Sequence, residues 1–535
     1  MLALKHLNIF NPKKGLQMPT CTTQETLLEK PIVYNLILPV PDTDFRDFIE
    51  EVNYLSDKYP EIIAGIEEDL NSNARKKKKL RLEDKKFIEE MTLPLPNFTV
   101  EEVEPEIESL EIKTGRPRMS GELIYLFIMI RGFLGGSLAS KTSRRFLRES
   151  MSLYSHFQNL GLKMPAVTTI LENVNLVSQK TLDLILDKQI KLILEEGLDD
   201  FKKLTIDSTS VNANSSWPTD ARILTGLLKR ANELGQKMHI FSLPDFQLGW
   251  IPRWLKEMDK LEFQICLVAG KAKSKGKLKK HYRKLLRRGE KTIAALTKEF
   301  TDFEEDLSMK MLKPSHRLRL QRILDQIKSD ISNAEKVISY ADNRVFKNIV
   351  LPSTEKVLSL SDTSAAYIKK GNRDPVIGYK PQLVRSENGF IPNLTVPEGN
   401  SADSTELVPA IHNSIIRTGV IADLVSTDDG YASAKGRNEI LAMKVKDISI
   451  SGAKGKKIID DDDWKSELYK DARRYRSAVE SLMFTLKDGF DFEELGRCGI
   501  NAVRAELTEK VLAYNCNRII LIRKRKQEEM LKKAA

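Results

Sequence analysis

Cysteine is scarce in this chain. Its 535 residues include only four, Cys21, Cys266, Cys498 and Cys516, with no Cys-x-x-Cys pair and no histidine at zinc-finger spacing. That pattern excludes a disulfide framework, offers no structural zinc site and fits a reducing compartment. Histidine is also rare, six in all. None stands near a candidate nucleophile in a recognisable pattern, so Ser-His-Asp or Cys-His catalysis has little to build on. No phosphate-cradling glycine loop occurs. Long apolar runs are missing too. The most apolar stretch, Leu123 to Ile130, is closed at once by Arg131 and falls short of the roughly 18 to 20 residues of a spanning helix. The opening MLALKHLNIFNPKKG shows neither the apolar h-region nor the cleavage site of a secretory signal. A cytoplasmic protein without a membrane partner is expected.

What the chain has is charge. Lys and Arg number 86 against 75 Asp and Glu, a net +11, with 30% charged and 41% hydrophobic residues. Such a balance belongs to a basic, globular protein, and the length calls for about two to four domains. Residues 1–110 read as a poorly defined N-terminal region. It holds the basic run Arg75-Lys76-Lys77-Lys78-Lys79 and ends in LPLPNFTVEEVEPEIE, whose prolines break helices and mark a linker. Residues 111–200 carry apolar and basic residues at helical spacing. Within them, Lys141 to Glu149 and a second helix with Pro165 in its first turn, carrying Thr168 and Thr169, have a spacing compatible with a DNA-docking helix-turn-helix pair.

At Lys203 the texture changes to LTIDSTSV, the alternation of a half-buried strand. Far downstream, Gly378 to Val384 and Phe390 to Val396 flank Ser386-Glu387-Asn388-Gly389, a hairpin signal. Then follow a helix near Thr405–Thr418, a strand at Ile421–Thr427, a helix near Lys435–Met443, a strand at Asp447–Ser451 and a long helix near Ser466–Lys487. The order implies a mixed α/β sheet, built from residues 201–217 and 346–520. The about 160 residues between the first strand and the hairpin are too many for a loop and read as a helical insertion, 218–345. Its stripe of Leu320, Leu324, Ile327, Ile331, Ala334 and Ile338 fits an antiparallel helical hairpin. Upstream, Lys271 to Lys291 holds eleven Lys or Arg in 21 positions. Residues 521–535 read as a basic tail. The fold class is thus multidomain, α and α/β, with a helical N-terminal domain and a mixed-sheet domain interrupted by a helical insertion.

With nucleophile chemistry short of histidines, the carboxylates remain. Asp207 ends the first strand, Asp428 ends another in Ser426-Thr427-Asp428-Asp429-Gly430-Tyr431, and Glu480 lies on the long helix. Converging on one point, such acids can hold two Mg²⁺ ions for in-line attack on a phosphodiester; separately, they are strand-end caps and turns. On a helical projection Arg476, Glu480 and Lys487 fall within roughly 40° of one another at the rim of an apolar arc of Leu468, Ala472, Tyr475, Val479, Leu482, Met483 and Leu486. Arg473 lies nearby. Asp220, in Trp217-Pro218-Thr219-Asp220, reads as a helix cap rather than a catalytic group.

These motifs resemble the DDE transposases of bacterial and archaeal insertion sequences, whose catalytic core is RNase H-like. LTIDSTSV resembles the strand bearing the first Asp, VSTDDGYAS the Asp-x-Gly-Tyr motif of the second, and RSAVESLMFTLK the helix bearing the Glu. Arg476, Glu480 and Lys487 reproduce most of the Tyr-Arg-Glu-Lys signature, but Arg473 stands where the Tyr belongs and Tyr475 sits two positions later. IKKGNRDPVIGYKPQLV, TVPEGNSADSTELVP and the region from Gly115 extend the likeness to about Gly115–Asn517. Asp428, not Asp429, holds the motif's place.

The resemblance implies that Asp207, Asp428 and Glu480 bind two divalent ions, Mg²⁺ or Mn²⁺. The enzyme would hydrolyse the 3′ end of an element and use the freed hydroxyl to attack target DNA. Arg476 and Lys487, with Arg473, would hold end phosphates. The partners implied are double-stranded DNA, as terminal inverted repeats and as target, and a second copy of the chain, at the nucleoid. In the insertion, Lys273, Lys275, Lys279, Lys280, Arg283, Lys284, Arg287 and Arg288 are candidates for DNA backbone contact, or else form a solvated helical face. Two other functions fit the residues less fully: a DNA-binding repressor or architectural protein without catalysis, and a nuclease of the same fold that cuts without joining.

Overall fold

The computed structural model describes residues 40–92, 118–214, 220–239, 248–271, 274–309, 311–349, 352, 356–369 and 374–534. The expected linker at 93–108, Cys21, Trp217 to Thr219 and Lys273 lie outside the described residues. Part of the region that reads as poorly defined is ordered: α1 (Val40–Lys58) and α2 (Glu61–Thr92) precede α3 (Gly121–Phe133), α4 (Lys141–Glu149), α5 (Met151–Asn159), α6 (Val167–Val174) and α7 (Gln179–Glu195). The basic run 75–79 lies on α2. Ser120, Ser140, Ser150 and Ser178 cap α3, α4, α5 and α7, each accepting a backbone N–H three residues on, a bond typically worth about 1 kcal/mol. The expected helix-turn-helix pair is not formed by consecutive helices. α5 stands between α4 and α6, and Pro165 precedes the N-cap of α6, Ala166, instead of entering its first turn.

β1 (Lys203–Ser208) and β2 (Val211–Asn212) come next, followed by the insertion: α8 (Asp220–His239), α9 (Ile251–Val268), α10 (Lys275–Met309) and α11 (Pro314–Phe346). Leu320, Leu324, Ile327, Ile331 and Ala334 are buried on α11, and with Leu224, Leu285 and Leu296 they belong to a core of the insertion's own. α10 and α11 form the expected hairpin, joined by only a few residues and packed along each other.

The chain then returns as β3 (Ala366–Ile368), β4 (Val376–Tyr379), β5 (Gln382–Ser386), β6 (Asn393–Thr395), α12 (Asp403–Thr418), β7 (Leu424–Thr427), α13 (Ala434–Ala442), β8 (Asp447–Ile450), α14 (Gly455–Ile458), α15 (Asp461–Lys465), α16 (Glu467–Arg476), α17 (Ala478–Phe490) and α18 (Ile500–Ala534). The main sheet has the order β6-β5-β1-β7-β8. β6, β5 and β1 run antiparallel, and β1, β7 and β8 parallel. This is the mixed sheet of the expected catalytic core. A smaller sheet orders β2-β4-β3.

Three elements differ from the sequence reading. β1 is not half-buried: Leu204, Thr205 and Ile206 are all inaccessible, because the strand is central and α12 and α17 pack against it. The single strand expected at 378–384 is two strands in different sheets, divided at Lys380-Pro381, where proline has no N–H to give a ladder. The long helix breaks at Ser477. Its hydroxyl donates back to the Arg474 carbonyl at 2.7 Å, and Glu480 N bonds the Ser477 carbonyl three residues back, a bend that back-bonding serines produce.

The segment read as a basic tail, 521–535, continues α18 as far as Ala534 instead. From Val503 to Ile522 that helix is built into one core shared by the N-terminal helices and the main sheet. Arg523 bonds Glu51 and Glu196, and Lys524 bonds Asp47. Gly132 lets α3 cross α18 backbone to backbone, since a Cβ there would lie 2.0 Å from the Glu509 carbonyl oxygen. At that crossing Glu509 is buried between Arg131 (2.6 Å) and Arg497 (2.5 Å), beside the buried pair Lys510–Glu506 (3.2 Å).

Candidate active site

The β1–β7 register pairs Lys203 with Leu424 and Thr205 with Ser426. Carried two residues further, it sets Asp207 beside Asp428 at the C-terminal ends of adjacent parallel strands, which lie about 4.8 Å apart. Each carboxylate is fixed locally: Asp207 Oδ1 accepts from Ser208 N at 2.7 Å, and Asp428 Oδ1 from Gly430 N at 2.9 Å. Asp428 thereby caps the short 3₁₀ turn 429–431. Its neighbour Asp429 also lines the cleft but is held by other amides, accepting from Lys454 N (2.7 Å) and Gly455 N (3.0 Å). That contact needs Gly452, whose φ is +112° and whose Cβ would come within 2.5 Å of the Asp429 side chain.

A cleft of about 900 Å³ opens over the pair. Asp207, Asp428 and Glu480 all line it, as do Arg473, Arg476 and Lys487. Despite the break at Ser477, α16 and α17 therefore present to one space the residues expected there. Glu480 comes from the wall formed by α17. Its side chain is 68% exposed and pairs with Arg476 at 3.3 Å. Lys487 bonds Glu493 at 3.1 Å. Arg473 donates to the Trp464 carbonyl at 3.1 Å and stacks over the rings of Trp464 and Tyr469, 4.5 and 5.3 Å from their centroids. Tyr475 takes no place in the cleft; its hydroxyl accepts from Arg385 at 3.1 Å.

Hard carboxylate oxygens on adjacent strand ends are the donor set that Mg²⁺ and Mn²⁺ take, so the Asp pair fits such ions. Among the described residues no three His, Cys, Asp or Glu side chains are gathered closely enough to hold one ion; Glu480 is turned to Arg476 instead. The charge balance also favours cations. With Asp429 counted, four carboxylates face three cations in the cleft, leaving it one negative charge and unfavourable to a phosphodiester until positive charge enters.

Sequence reasoning missed what lies below. Tyr431 is fully buried; burial, then the negative charges of Asp403, Asp207 and Asp428, push its phenol far above the ordinary value, so it stays a donor. Asp403 sits in the quoted segment GNSADS, but nothing in its spacing ties it to Asp428; only the fold does. Met483 and the 67% exposed Phe484 also line the cleft.

The insertion's cations divide. Lys275, Lys280, Arg283, Lys284 and Arg287 are exposed and Lys279 is half-buried, and Arg283 lies over the Phe346 ring at 5.5 Å. Arg288 is engaged within the bundle, bonded to Glu257 and stacked 4.8 Å over Trp254, which leaves it poorly placed to reach DNA. Asp220 opens α8 and pairs with Arg344, away from the cleft. Cys266, Cys498 and Cys516 are free thiols, and no helix among the described residues is long and apolar enough to cross a membrane.

Neither the curated proteins nor the solved structures give a match to this chain. The family model described as the transposase DDE domain matches residues 346–516, a span that holds Asp428, Glu480 and every strand of the main sheet except β1. Asp207 enters from before the insertion, through the pairing of β1 with β5 and β7. Residues 346–516 are thereby identified as a transposase DDE domain.

Proposed function

We propose that the protein cleaves the ends of a DNA element and joins them to target DNA, with Asp207, Asp428 and Glu480 holding two Mg²⁺ or Mn²⁺ ions. The observation that carries this reading is the register that sets Asp207 beside Asp428 under a cleft shared with Glu480, Arg476 and Lys487. Divalent ions, when bound, neutralise the phosphodiester and activate the attacking oxygen for in-line displacement. Asp207 and Asp428 hold their positions through the Ser208 and Gly430 amides and present the remaining oxygens to the cleft. Glu480 leaves Arg476 and turns toward the Asp pair, which frees the guanidinium for a bidentate phosphate contact. Lys487 neutralises the flanking phosphate as a point charge. In the first step water attacks phosphorus and the element's 3′ oxygen leaves with a proton. In the second, that 3′-hydroxyl attacks a target phosphodiester, forming one P–O bond as the target's 3′ oxygen departs. The exposed cations of α10 contact the duplex backbone, and two copies of the chain hold paired ends.

The test is strand transfer with Mg²⁺ on duplex DNA bearing the element's terminal inverted repeats. Joined product from the parent and none from Asp207→Ala or Asp428→Ala is the expected result. Full activity in either variant refutes the assignment. Cutting without joining identifies a nuclease, and metal-insensitive binding without cutting identifies a repressor or architectural protein.

A further inference from the structure

Beneath the Asp207–Asp428 pair runs a chain of buried polar groups that the proposed chemistry does not use. Tyr431, fully buried, donates its hydroxyl to Gln382 Oε1. Gln382, equally inaccessible, donates from Nε2 to Asp403 Oδ1 at 3.0 Å. Lys380, 7% exposed, brings Nζ to 2.8 Å from the same oxygen and donates to the Ser401 carbonyl at 3.3 Å. Burial raises the Asp403 carboxyl, but the bonds from Lys380 and Gln382, the Lys380 charge and the Ser208 hydroxyl outweigh it and hold the group below the ordinary range.

The ends of this chain are its significance. Gln382 is the β5 partner of Ser208, the residue after Asp207 on β1. Tyr431 closes the turn that Asp428 opens, its amide bonding the Asp428 carbonyl at 3.3 Å. One relay therefore ties the strand beneath the first carboxylate to the turn beneath the second. Asp403 Oδ2 also faces Gly430, where a Cβ would lie 3.2 Å from it and 3.0 Å from Asp428 Oδ1. Asp403 itself does not line the cleft. Buried ionic and amide groups are expensive to desolvate, and apolar residues fill such a sheet–helix junction as well or better for stability. Polar groups at this one junction, behind two carboxylates, point to orientation rather than to folding.

We propose that Asp403, with Lys380, Gln382 and Tyr431, is a positioning device that fixes the separation and orientation of the Asp207 and Asp428 carboxylates, and so sets the affinity of that pair for divalent ions. The inference rests on the reading that the pair binds ions. Partners behind metal-ligating groups typically change metal affinity by 10- to 100-fold when removed.

The experiment titrates Mn²⁺ into the DNA-free full chain and follows free Mn²⁺ by electron paramagnetic resonance, for the parent, Tyr431→Phe, Asp403→Asn and Asp207→Asn. Tyr431→Phe and Asp403→Asn are expected to weaken Mn²⁺ binding by about 10-fold or more, with duplex binding in EDTA unchanged and strand transfer by Tyr431→Phe restored at high Mn²⁺. Mn²⁺ binding within twofold of the parent in Tyr431→Phe overturns the proposal. Tyr431→Phe leaves every charge in place, so it decides the matter if Asp403→Asn does not fold. A parent that binds no Mn²⁺, or Asp207→Asn that binds as the parent does, overturns the metal reading and this inference with it.

Discussion

Glu480→Ala separates stability from chemistry. The side chain is 68% exposed, and its one ion pair is with Arg476, four residues away at 3.3 Å. Helical pairs of this kind contribute about 0.2 to 0.5 kcal/mol, so thermal unfolding is expected to shift by at most about 2 °C. Removing the charge also takes the cleft's single negative excess to zero and releases Arg476, so duplex binding in EDTA is expected to hold or tighten. Cleavage, by contrast, loses a ligand to ions that stabilise the transition state by several kcal/mol, a fall on the order of 10³-fold at 1.36 kcal/mol per decade. The assay measures melting by calorimetry, binding by filter retention and cleavage of end-bearing duplex under single-turnover conditions. Cleavage within tenfold of the parent refutes a metal role for Glu480. A melting point lower by many degrees refutes the surface geometry instead.

In the insertion, replacing Lys280, Lys284 and Arg287 together by alanine should lower the slope of log affinity against log salt by up to about 0.9 for each phosphate that is no longer neutralised, while Arg288→Ala should leave the slope unchanged and lower the melting point by releasing Glu257 and Trp254. Glu509→Gln should destabilise the fold by about 3 to 5 kcal/mol, read by urea unfolding, because it leaves the buried Arg131 guanidinium without its anion and removes the nearer of the two that face Arg497. The same residue sets an acid limit. Burial raises its carboxyl, but the charges and hydrogen bonds of Arg131 and Arg497 outweigh that and hold it below the ordinary range. A carboxyl depressed in the folded state adds stability above its unfolded value near 4.3 and loses it as pH falls through the folded one. Stability measured from pH 6 down to 3 should therefore fall below about pH 4 in the parent, and this component should be missing in Glu509→Gln.

Asp207 and Asp428 were legible because a strand followed by a turn leaves a local signature, and each acid lies within a residue of its strand's end. Glu480 was legible through spacing, since Arg476 and Lys487 recur on its side of the helix. The bend at Ser477 was not, because serine tolerates a helix interior and whether it bonds backward depends on the neighbours it meets. Nor was the division at Lys380-Pro381: the alternation runs through it, and only the pairing of β4 with β2 and of β5 with β1 shows two sheets. Glu506 and Lys510 stand at i,i+4 on α18, a spacing that by itself does not tell a buried pair from an exposed one. They are enclosed by Gly136, more than 350 residues earlier in the chain, and by the backbone of 491–497, and no local pattern on α18 announces it. Asp403 was hidden for the same reason: its partners lie on another strand and another turn.

The placement of charge divides the work of the molecule between capture and chemistry. In the cleft each cation already has an engagement: Arg476 with Glu480, Lys487 with Glu493, Arg473 with Trp464. The cleft as a whole carries a negative excess, so it does not draw in a polyanion by itself. On α10 the exposed Lys280, Lys284 and Arg287 form no ion pair among the described residues, and an unopposed basic helix attracts a duplex at range, in proportion to the counterions released. The insertion leaves the chain after β2 and returns before β3, two strands that share the smaller sheet with β4. On the proposed function, the cleft accepts phosphate only after divalent charge has entered. On that proposal, binding without metal and cleavage only with it follow from where the cations sit and from the turn of Glu480 away from Arg476.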